Sequence, residues 1–320
     1  MFKFYKYLLL ALLFFLSFYG PYVGYINHVP YKDNKILNIN TGDSINQTFS
    51  KLDTYNFVQK TFINYYLIKN NIKNIQAGEY QIGDLSIIEI INLISNGETI
   101  TYKLKIVEGT NIYQLENLIN ESHLINDCSF LSCIETNYGF TEGILYPDTY
   151  FYKKGMLASN ILIYSNERLN NKLDEILLND GPKNSLSKEE ILILASIVEK
   201  EAGNDEEKNL IADVFLTRLS IGMRLQADPT IIYGLLPNFD GDIKKSDILD
   251  KNNKFNTYMI KGLPPTPISI SSISSISATV NATPGEYLYF VAESPYSHYF
   301  SKTYEEHLQK INELGLNKWE

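Results

Sequence analysis

The sequence has few of the residues that several common kinds of functional site require. It contains only two cysteines, Cys128 and Cys133, whose spacing matches no metal-binding pattern. Basic residues are outnumbered by acidic ones, 28 to 37, which gives a net charge of −9. No basic patch stands out, and such a chain repels the phosphates of nucleic acids. The composition therefore argues against a nucleic-acid partner, and we expect no metal and no other cofactor.

Several common motifs of catalytic and phosphate-binding sites are missing as well. The sequence has no glycine-rich phosphate loop and no serine, histidine and aspartate in the order of a catalytic triad. His298 and His307 lack partners at metal-ligand spacing, so we interpret both as surface or core residues. Cys128 and Cys133 could be joined by a loop into a disulfide in an oxidising compartment, but two buried thiols are the favoured interpretation.

An uncharged stretch near the N-terminus predicts a membrane anchor. Residues 7–26 carry no charge, and a helix of that length, rising about 1.5 Å per residue, spans roughly the 30 Å of a hydrocarbon core. Lys3 and Lys6 precede it, so we expect residues 1–6 to be cytoplasmic and the rest of the chain to be exported. The alternative is a cleaved signal peptide, but no small-residue cleavage site follows.

The next region repeats one pattern. Between residues 36 and 122, a strand with alternating apolar residues leads three times through a glycine turn into a helix with apolar residues at helical spacing. Together with the mixed pattern of the remaining chain, this predicts an α+β protein. A length of 320 residues allows two domains beyond the anchor.

One helix places a carboxylate on its apolar side. Ser187 and Glu190 have the form of a capping box, and Gly203 occupies a C′ position, which predicts a helix from about Lys188 to Ala202. Glu201 falls within its apolar arc, where desolvation and the helix dipole would both raise its pKa. A general acid working near neutral pH requires such a pKa. The alternative is a structural ion pair at a helix end.

A second helix follows almost at once. Asn204 and Glu207 form its N-terminal signature, and Gly222 ends it. The linker between the two helices is so short that we expect a tight corner with Glu201 near its apex.

Two polar positions follow this corner. In 223–230 we predict an extended piece, because Pro229 disfavours helix at Asp228. Gln226 and Asp228 alternate with apolar residues, so both side chains can face one cleft, although polar residues in such a segment can also serve only to form a turn. Beyond a polar loop at 237–253, we predict a strand at 255–260.

Five separated motifs resemble those of the endolytic murein transglycosylase family, also called YceG-like. They are EGILYPDTYFY at 142–152, LASIVEKEAG at 194–203, IADVFLTRLSIGMRLQADPTIIYGL at 211–235, FNTYMIKGLPPTPI at 255–268 and YLYFVAESPYSHYFSKTYEEH at 287–307. The resemblance implies a mixed α+β catalytic domain at 142–320 and a connecting segment at 123–141. It also implies a small LysM-like α+β region at 36–122, which either binds glycan or is a spacer.

The resemblance further implies a reaction. Such enzymes cleave the β-1,4 bond between N-acetylmuramic acid and N-acetylglucosamine in peptidoglycan strands and leave a 1,6-anhydro end. Glu201 matches the family's catalytic residue and would act as general acid and then as base, without metal or cofactor. Gln226 and Asn256 would hold the N-acetyl group and the developing charge, and Thr257 would also lie at the glycan.

Glu199 and Asp228 complete the set of candidate site residues, and would tune Glu201 or fix the loops. Two rival functions stay open: a muramidase that uses Asp228 or Glu199 as its second carboxylate, and a scaffold that binds glycan strands without cutting them. The resemblance implies an inner-membrane protein with a periplasmic catalytic domain, which would terminate the elongation of nascent strands and have peptidoglycan synthases as partners.

Overall fold

A computed structural model describes residues 2–52, 55–179 and 181–316, and it is a mixed α+β protein, as the sequence predicts. The strands form three two-stranded sheets in this part of the chain. The chain divides into two compact units, Met1–Tyr102 with Phe151–Lys154, and Lys103–Tyr150 with Gly155–Glu320. The functional domain boundaries inferred from the sequence stay predictions.

The first unit begins with the apolar helix that the sequence predicts. Helix α1 (Phe2–Phe14) continues through a π-helical turn (Phe15–Tyr19) into α2 (Gly20–Ile26). Tyr5–Ile26 is the single helix in the described ranges that is long and apolar enough to cross a membrane. It is a candidate membrane anchor, and its orientation stays a prediction. Tyr22 and Ile26, at its end, are buried in the core of the first unit.

The rest of the first unit follows the predicted strand, turn and helix order. Its elements are β1 (Ile36–Ile39), α3 (Ile45–Ser50), α4 (Phe57–Lys69), β2 (Gly78–Gln81) and α5 (Ile87–Asn96). β1 and β2 are antiparallel, with Leu37 opposite Tyr80. Capping boxes begin the helices because side chains there accept hydrogen bonds from otherwise unpaired backbone amides, as Ser86 does from the amide of Glu89.

The second unit begins with a strand and helix that are also predicted. Its first elements are β3 (Tyr102–Ile106), α6 (Ile112–Asn120), β4 (Asp148–Tyr152) and α7 (Ala158–Asn179), and β3 pairs with β4. Tyr102 of β3 and the last two residues of β4 are assigned to the first unit. The sequence Asp180-Gly181-Pro182 predicts the end of α7, and Asp180 lies outside the described residues.

The segment between α6 and β4 contains a disulfide. A short 3-10 turn at Ser129–Leu131 brings Cys128 and Cys133 together, with their Cα atoms 5.0 Å apart. The favoured interpretation of two buried thiols was therefore wrong. The bond depends on left-handed backbone at Phe130 and Leu131, which residue spacing alone does not indicate.

The elements that surround the candidate site follow in chain order. They are α8 (Lys188–Glu201), α9 (Lys208–Ser220), α10 (Asp228–Leu235), α11 (Lys245–Ile248), α12 (Ile273–Asn281), β5 (Tyr289–Ser294), β6 (Ser297–Ser301) and α13 (Tyr304–Glu313). A core cluster joins α8, α9 and α12 and includes Ile197, Phe215 and Ala278. β5 and β6 form an antiparallel hairpin.

Three local predictions were wrong. Asp228, predicted to be extended, is the first residue of helix α10. Pro229 is tolerated in the first turn because the backbone amides there have no hydrogen-bond partner within the helix, so the hydrogen that proline lacks is not missed. The predicted polar loop at 237–253 contains α11. The segment 255–260 forms turns instead of a strand, since Asn256 and Thr257 bond nearby backbone groups with their side chains.

Candidate active site

The predicted corner between two helices is present. The Ser187 capping box begins α8, and the extended backbone of Ala202 ends it directly after Glu201. Asn204 Oδ1 then accepts hydrogen bonds from the amides of Glu206 and Glu207 at 2.8 and 3.1 Å, which turns the chain into α9. Glu201 is therefore the last residue of α8, at the apex of the corner.

Gly203 has a different role from the one expected of a C′ glycine. Its backbone does not have a positive φ, but a Cβ at this position would lie 2.9 Å from the carbonyl carbon of Tyr296, in the turn between β5 and β6. The Tyr296 carbonyl also accepts a hydrogen bond from Asn204 Nδ2. The missing side chain therefore lets the hairpin approach the corner closely.

Between the corner and the hairpin lies a cavity of about 390 Å³. Its walls come from the ends of α8 and α9, the turn before α10, the 255–260 segment, the hairpin and α13. The lining residues are Glu201, Arg218, Gln226, Asp228, Tyr258, Tyr289, Phe290, Val291, Ala292, His298, Tyr304 and His307. All of them belong to the second unit.

The carboxyl group of Glu201 opens into this cavity with a raised pKa. Burial raises the pKa of Glu201 to about 8, the nearby charge of Asp228 pushes it the same way, and Arg218 opposes them. No hydrogen bond from a residue in the described ranges reaches this carboxyl group. A carboxylic acid in this environment keeps its proton at neutral pH and can donate it.

The turn before α10 presents two of the predicted side chains to the cavity. Gln226 has a φ of 51°, an unusual value for a residue with a side chain. The alternation predicted from the sequence is confirmed, because Leu225 and Ala227 are buried while Gln226 and Asp228 line the cavity. The hydroxyl group of Tyr258 donates to Asp228 Oδ1 at 2.7 Å.

Asn256 and Thr257 do not line the cavity, contrary to the prediction that both lie at the glycan. Both are fully buried. Thr257 Oγ1 accepts the amide of Ala227 at 2.9 Å, and its carbonyl accepts the amide of Gln226 at 3.2 Å. Asn256 Nδ2 donates to the carbonyl of Asp247 in α11 at 3.0 Å. Thr257 therefore holds the Gln226 turn in place from behind, whereas Asn256 fixes the neighbouring 247–250 segment.

Glu199 lies in a separate polar network. Its Oε2 accepts hydrogen bonds from the amide of Ser272 at 2.9 Å and the hydroxyl of Ser275 at 2.6 Å, and Lys208 Nζ lies 3.3 Å away. Burial would raise the pKa of Glu199, but the hydrogen bonds from the serines, together with Lys208, lower it. Of the two roles expected for Glu199, the structure shows loop fixing, since it ties α8 to the start of α12.

Nine of the residues that line the cavity were not predicted as site residues, among them Arg218, Tyr258, His298 and His307. Arg218 is buried, and its Nε donates to the carbonyl of Leu288 at 2.7 Å. Its place on the apolar stripe of α9 was a signal that could have identified it. The two histidines come from the hairpin and α13, about a hundred residues after Glu201 in the chain, and nothing in their local sequence indicates this cavity.

His298 is held by a carboxylate. Glu207 Oε2 lies 2.8 Å from His298 Nδ1, and Glu207 Oε1 accepts the backbone amide of His298 at 2.7 Å. Phe290 packs edge-on against the imidazole ring at 5.4 Å between centroids. With Nδ1 occupied by Glu207, Nε2 is the ring nitrogen that can bond a ligand.

A second buried acid supports the far end of α10. Glu142 accepts hydrogen bonds from the amide of Ile112 and the hydroxyl of Tyr233, each at 2.9 Å. Burial raises the pKa of Glu142 to about 7, against the effect of these donors. Because Tyr233 is on α10, this contact fixes the helix that carries Asp228 at its first turn.

No group of three or more histidine, cysteine, aspartate or glutamate side chains is placed to hold a metal ion within 2–52, 55–179 and 181–316. The prediction of a reaction without metal or cofactor remains a prediction.

Comparisons with known proteins agree on one family. The model of the YceG-like family matches residues 37–313. The chain is 28% identical over 306 residues to the endolytic murein transglycosylase of Bacillus subtilis, covering 86% of this chain and 84% of that protein. It is 25% identical over 318 residues to the protein of the same name in Streptococcus pneumoniae serotype 2, covering 87% of this chain but only 58% of the relative.

A solved structure is also similar. The crystal structure of a yceG-like protein from Listeria monocytogenes superposes with a TM-score of 0.56 at 28% identity, covering 86% of this chain and 98% of the other.

Proposed function

The chain belongs to the YceG-like family, and from this premise we propose that it is a peptidoglycan lytic transglycosylase with Glu201 as its catalytic residue. The relatives named endolytic murein transglycosylase support this class of reaction. One observation carries the assignment of the residue: the carboxyl group of Glu201 faces the cavity, and its pKa is raised to about 8.

The proposed reaction needs one carboxyl group in two protonation states. Protonated Glu201 donates its proton to the glycosidic oxygen between the muramoyl sugar and the next sugar, and the bond from that oxygen to the anomeric carbon breaks. The resulting carboxylate accepts the proton of the muramoyl 6-hydroxyl group, whose oxygen bonds to the same anomeric carbon. The products are a 1,6-anhydro end and a new free hydroxyl end, and Glu201 is protonated again.

The neighbours of Glu201 supply the charges that this sequence of steps requires. Positive charge develops at the anomeric carbon as the glycosidic bond breaks, and Asp228 in the same cavity stabilises it. Arg218 opposes the rise in the pKa of Glu201, so it stabilises the carboxylate that forms after the first proton transfer. Gln226 supplies an amide that can bond an N-acetyl group of the glycan.

His298 supplies a further polar contact to the glycan in this proposal. When Nδ1 donates to the Glu207 carboxylate, Nε2 of the neutral imidazole is an acceptor, which suits a sugar hydroxyl group. The aromatic side chains beside it, Tyr289, Phe290 and Tyr304, provide apolar surface for the faces of sugar rings.

Product analysis tests the proposed reaction. The full-length protein in detergent is incubated with purified peptidoglycan, and the released fragments are analysed by mass spectrometry beside the variants Glu201→Gln and Glu206→Gln. Glu206 is exposed and lies near the same corner, so it is the matched control. We expect anhydromuramoyl ends from the wild type and E206Q, and none from E201Q. Full activity of E201Q contradicts the assignment.

The same experiment separates the rival functions. A muramidase with Glu201 as acid and Asp228 as second carboxylate would give reducing ends. Both side chains line the same cavity, as such a two-carboxylate mechanism requires. Glu199 is a poor second carboxylate because its Oε2 is used by Ser272, Ser275 and Lys208. Intact strands from the folded wild type would support the glycan-binding scaffold.

We further propose the membrane topology, the roles of the two domains and the synthase partners that the sequence predicts. The anchor places residues after Ile26 outside the cytoplasm, in the periplasm, where the enzyme cuts nascent strands and limits their length. Residues 36–122 serve as a LysM-like glycan-binding region or spacer, and 142–320 as the catalytic domain. Partnership with peptidoglycan synthases is part of the same proposal, and co-purification of the full-length protein with a synthase from membranes tests it.

A further inference from the structure

Helix α4 in the first unit has an apolar surface on the side that faces away from the core. Phe57, Val58, Tyr65 and Ile68 are 83%, 55%, 39% and 80% exposed. At 100° per residue these four positions fall within an arc of about 100°. The opposite side of the helix is buried in the core through Phe62, Ile63, Tyr66 and Leu67.

A helix that is apolar on both sides is normally covered on both sides. Apart from Thr61, which is exposed within the same arc, this helix face presents four large apolar side chains, and such a surface binds a membrane or another protein. Lys60 and Lys69 lie at the two edges of this surface, at about 60° and 20° beyond the ends of the apolar arc at 100° per residue. Lysines at the edges of an apolar helix face suit the boundary between acyl chains and lipid headgroups.

The position of α4 beside the N-terminal helix, within the same unit, indicates which of these occupants covers it. The ring of Phe18 lies 5.5 Å from Phe62 and 5.8 Å from Tyr65, and the ring of Tyr22 lies 5.0 Å from Tyr65. All three distances join the N-terminal helix directly to α4.

These contacts begin inside the apolar stretch. Phe18 lies about 20 Å along the helix from Tyr5, at about 1.5 Å per residue, whereas a hydrocarbon core is about 30 Å thick. A bilayer that surrounds the apolar stretch from Tyr5 therefore extends to the level of α4. The exposed face of α4 is then continuous with the surface of a membrane-spanning helix.

We propose that α4 is a membrane-surface helix, with Phe57, Val58, Tyr65 and Ile68 inserted into the outer acyl region of the bilayer in which the N-terminal helix is anchored. The assignment rests on that helix spanning a bilayer, and it is independent of the catalytic reaction. A lipid surface is the occupant because one bilayer covers both helices without any further protein.

Depth-dependent fluorescence quenching tests this assignment on the full-length chain in liposomes. A small fluorophore is attached to a single introduced thiol in Phe57→Cys or Ile68→Cys, since the native cysteines are paired with each other. Leu12→Cys, on the N-terminal helix, reports the bilayer interior. Leu178→Cys, 85% exposed in the second unit, is the matched exposed control. The quencher is a nitroxide lipid labelled either near its headgroup or deep in its acyl chain.

We expect the labels at positions 57 and 68 to lose half or more of their emission with the shallow nitroxide, as an interfacial helix buried about 5–10 Å deep requires. The label at 12 should respond more to the deep nitroxide, and the label at 178 to neither. If the label at 12 is quenched while those at 57 and 68 match the control, the anchor stands and our assignment fails. Emission at 57 or 68 that depends on the protein-to-lipid ratio and not on the nitroxide would identify a second copy as the occupant and overturn it. An unquenched label at 12 overturns the anchor and the assignment together.

Discussion

The substitution Glu201→Gln is expected to make the protein more stable at high pH while it abolishes activity. The pKa of Glu201 is raised from 4.5 to about 8. The folded state therefore binds a proton that the unfolded state has released between these two pH values. Stability then falls as the pH rises through this range, because the unfolded state binds fewer protons there. Glutamine has the same shape but never ionises, so it removes this pH-dependent cost.

The structure sets an upper limit on the effect. A difference of about 3.5 pH units, at about 1.4 kcal/mol per unit, corresponds to about 5 kcal/mol above pH 8. Because Glu201 faces a cavity and keeps some exposure, we expect a smaller gain of about 2–4 kcal/mol at pH 9. Near pH 4.5 the gain should vanish. For a unit of this size, about 1 kcal/mol shifts Tm by roughly 2–4 °C, so E201Q should melt about 4–16 °C higher at pH 9.

Thermal unfolding of the full-length protein in detergent at pH 5, 7 and 9 measures this effect, with Glu206→Gln as the control for loss of an exposed carboxylate. The comparison is the Tm of each variant minus that of the wild type at the same pH. A difference for E201Q that is flat with pH, or that equals the difference for E206Q, would refute a desolvated Glu201. In the same range, wild-type activity should fall as the pH rises through about 8, because the acid form is lost.

Three further predictions concern the supports of the site. Thr257→Val keeps the size of the side chain but removes the hydroxyl partner of a buried amide, so urea unfolding should show a loss of about 1–3 kcal/mol, and turnover should fall because the turn at Gln226 loses its support. Gly203→Ala should lower the free energy of unfolding by about 1–3 kcal/mol through overpacking against the hairpin. It should also reduce turnover more than the control Ser220→Ala, which lies outside this contact. Unchanged turnover of G203A would contradict a close approach between the corner and the hairpin. Glu207→Gln should reduce turnover in the wild type but have little effect in a His298→Gln background, because the carboxylate acts through the imidazole. Additive losses in this double-mutant cycle would show that the two residues act separately.

Local signals in the sequence predict much of the corner that holds Glu201. A capping box, a short linker and the position of one glutamate on an apolar arc depend on residues close together in the chain, and the structure reproduces them at α8. Gln226 and Asp228 follow for the same reason, since alternation in a short segment determines which side chains share a side.

The remaining parts of the site depend on contacts that local sequence does not encode. Asn256 and Thr257 have the composition of ligand-binding residues, but side chains that bond a backbone turn and side chains that bond a sugar look alike in a sequence. His298 reaches the cavity through a hairpin that pairs long after α8 in the chain. Cys128 and Cys133 meet only because two intervening residues adopt left-handed backbone.

The contact between the hairpin and the corner has a consequence for the order in which the protein is made. The amide of His298 reaches Glu207 across 91 residues of chain, so one wall of the cavity is synthesised well after the acid it encloses. At about 5–20 residues per second, this delay is on the order of ten seconds. During that time the growing chain carries its glutamate on an open helix end and has no cleft around it. The site should therefore become competent only when the C-terminal hairpin has been released and has folded back over Glu201.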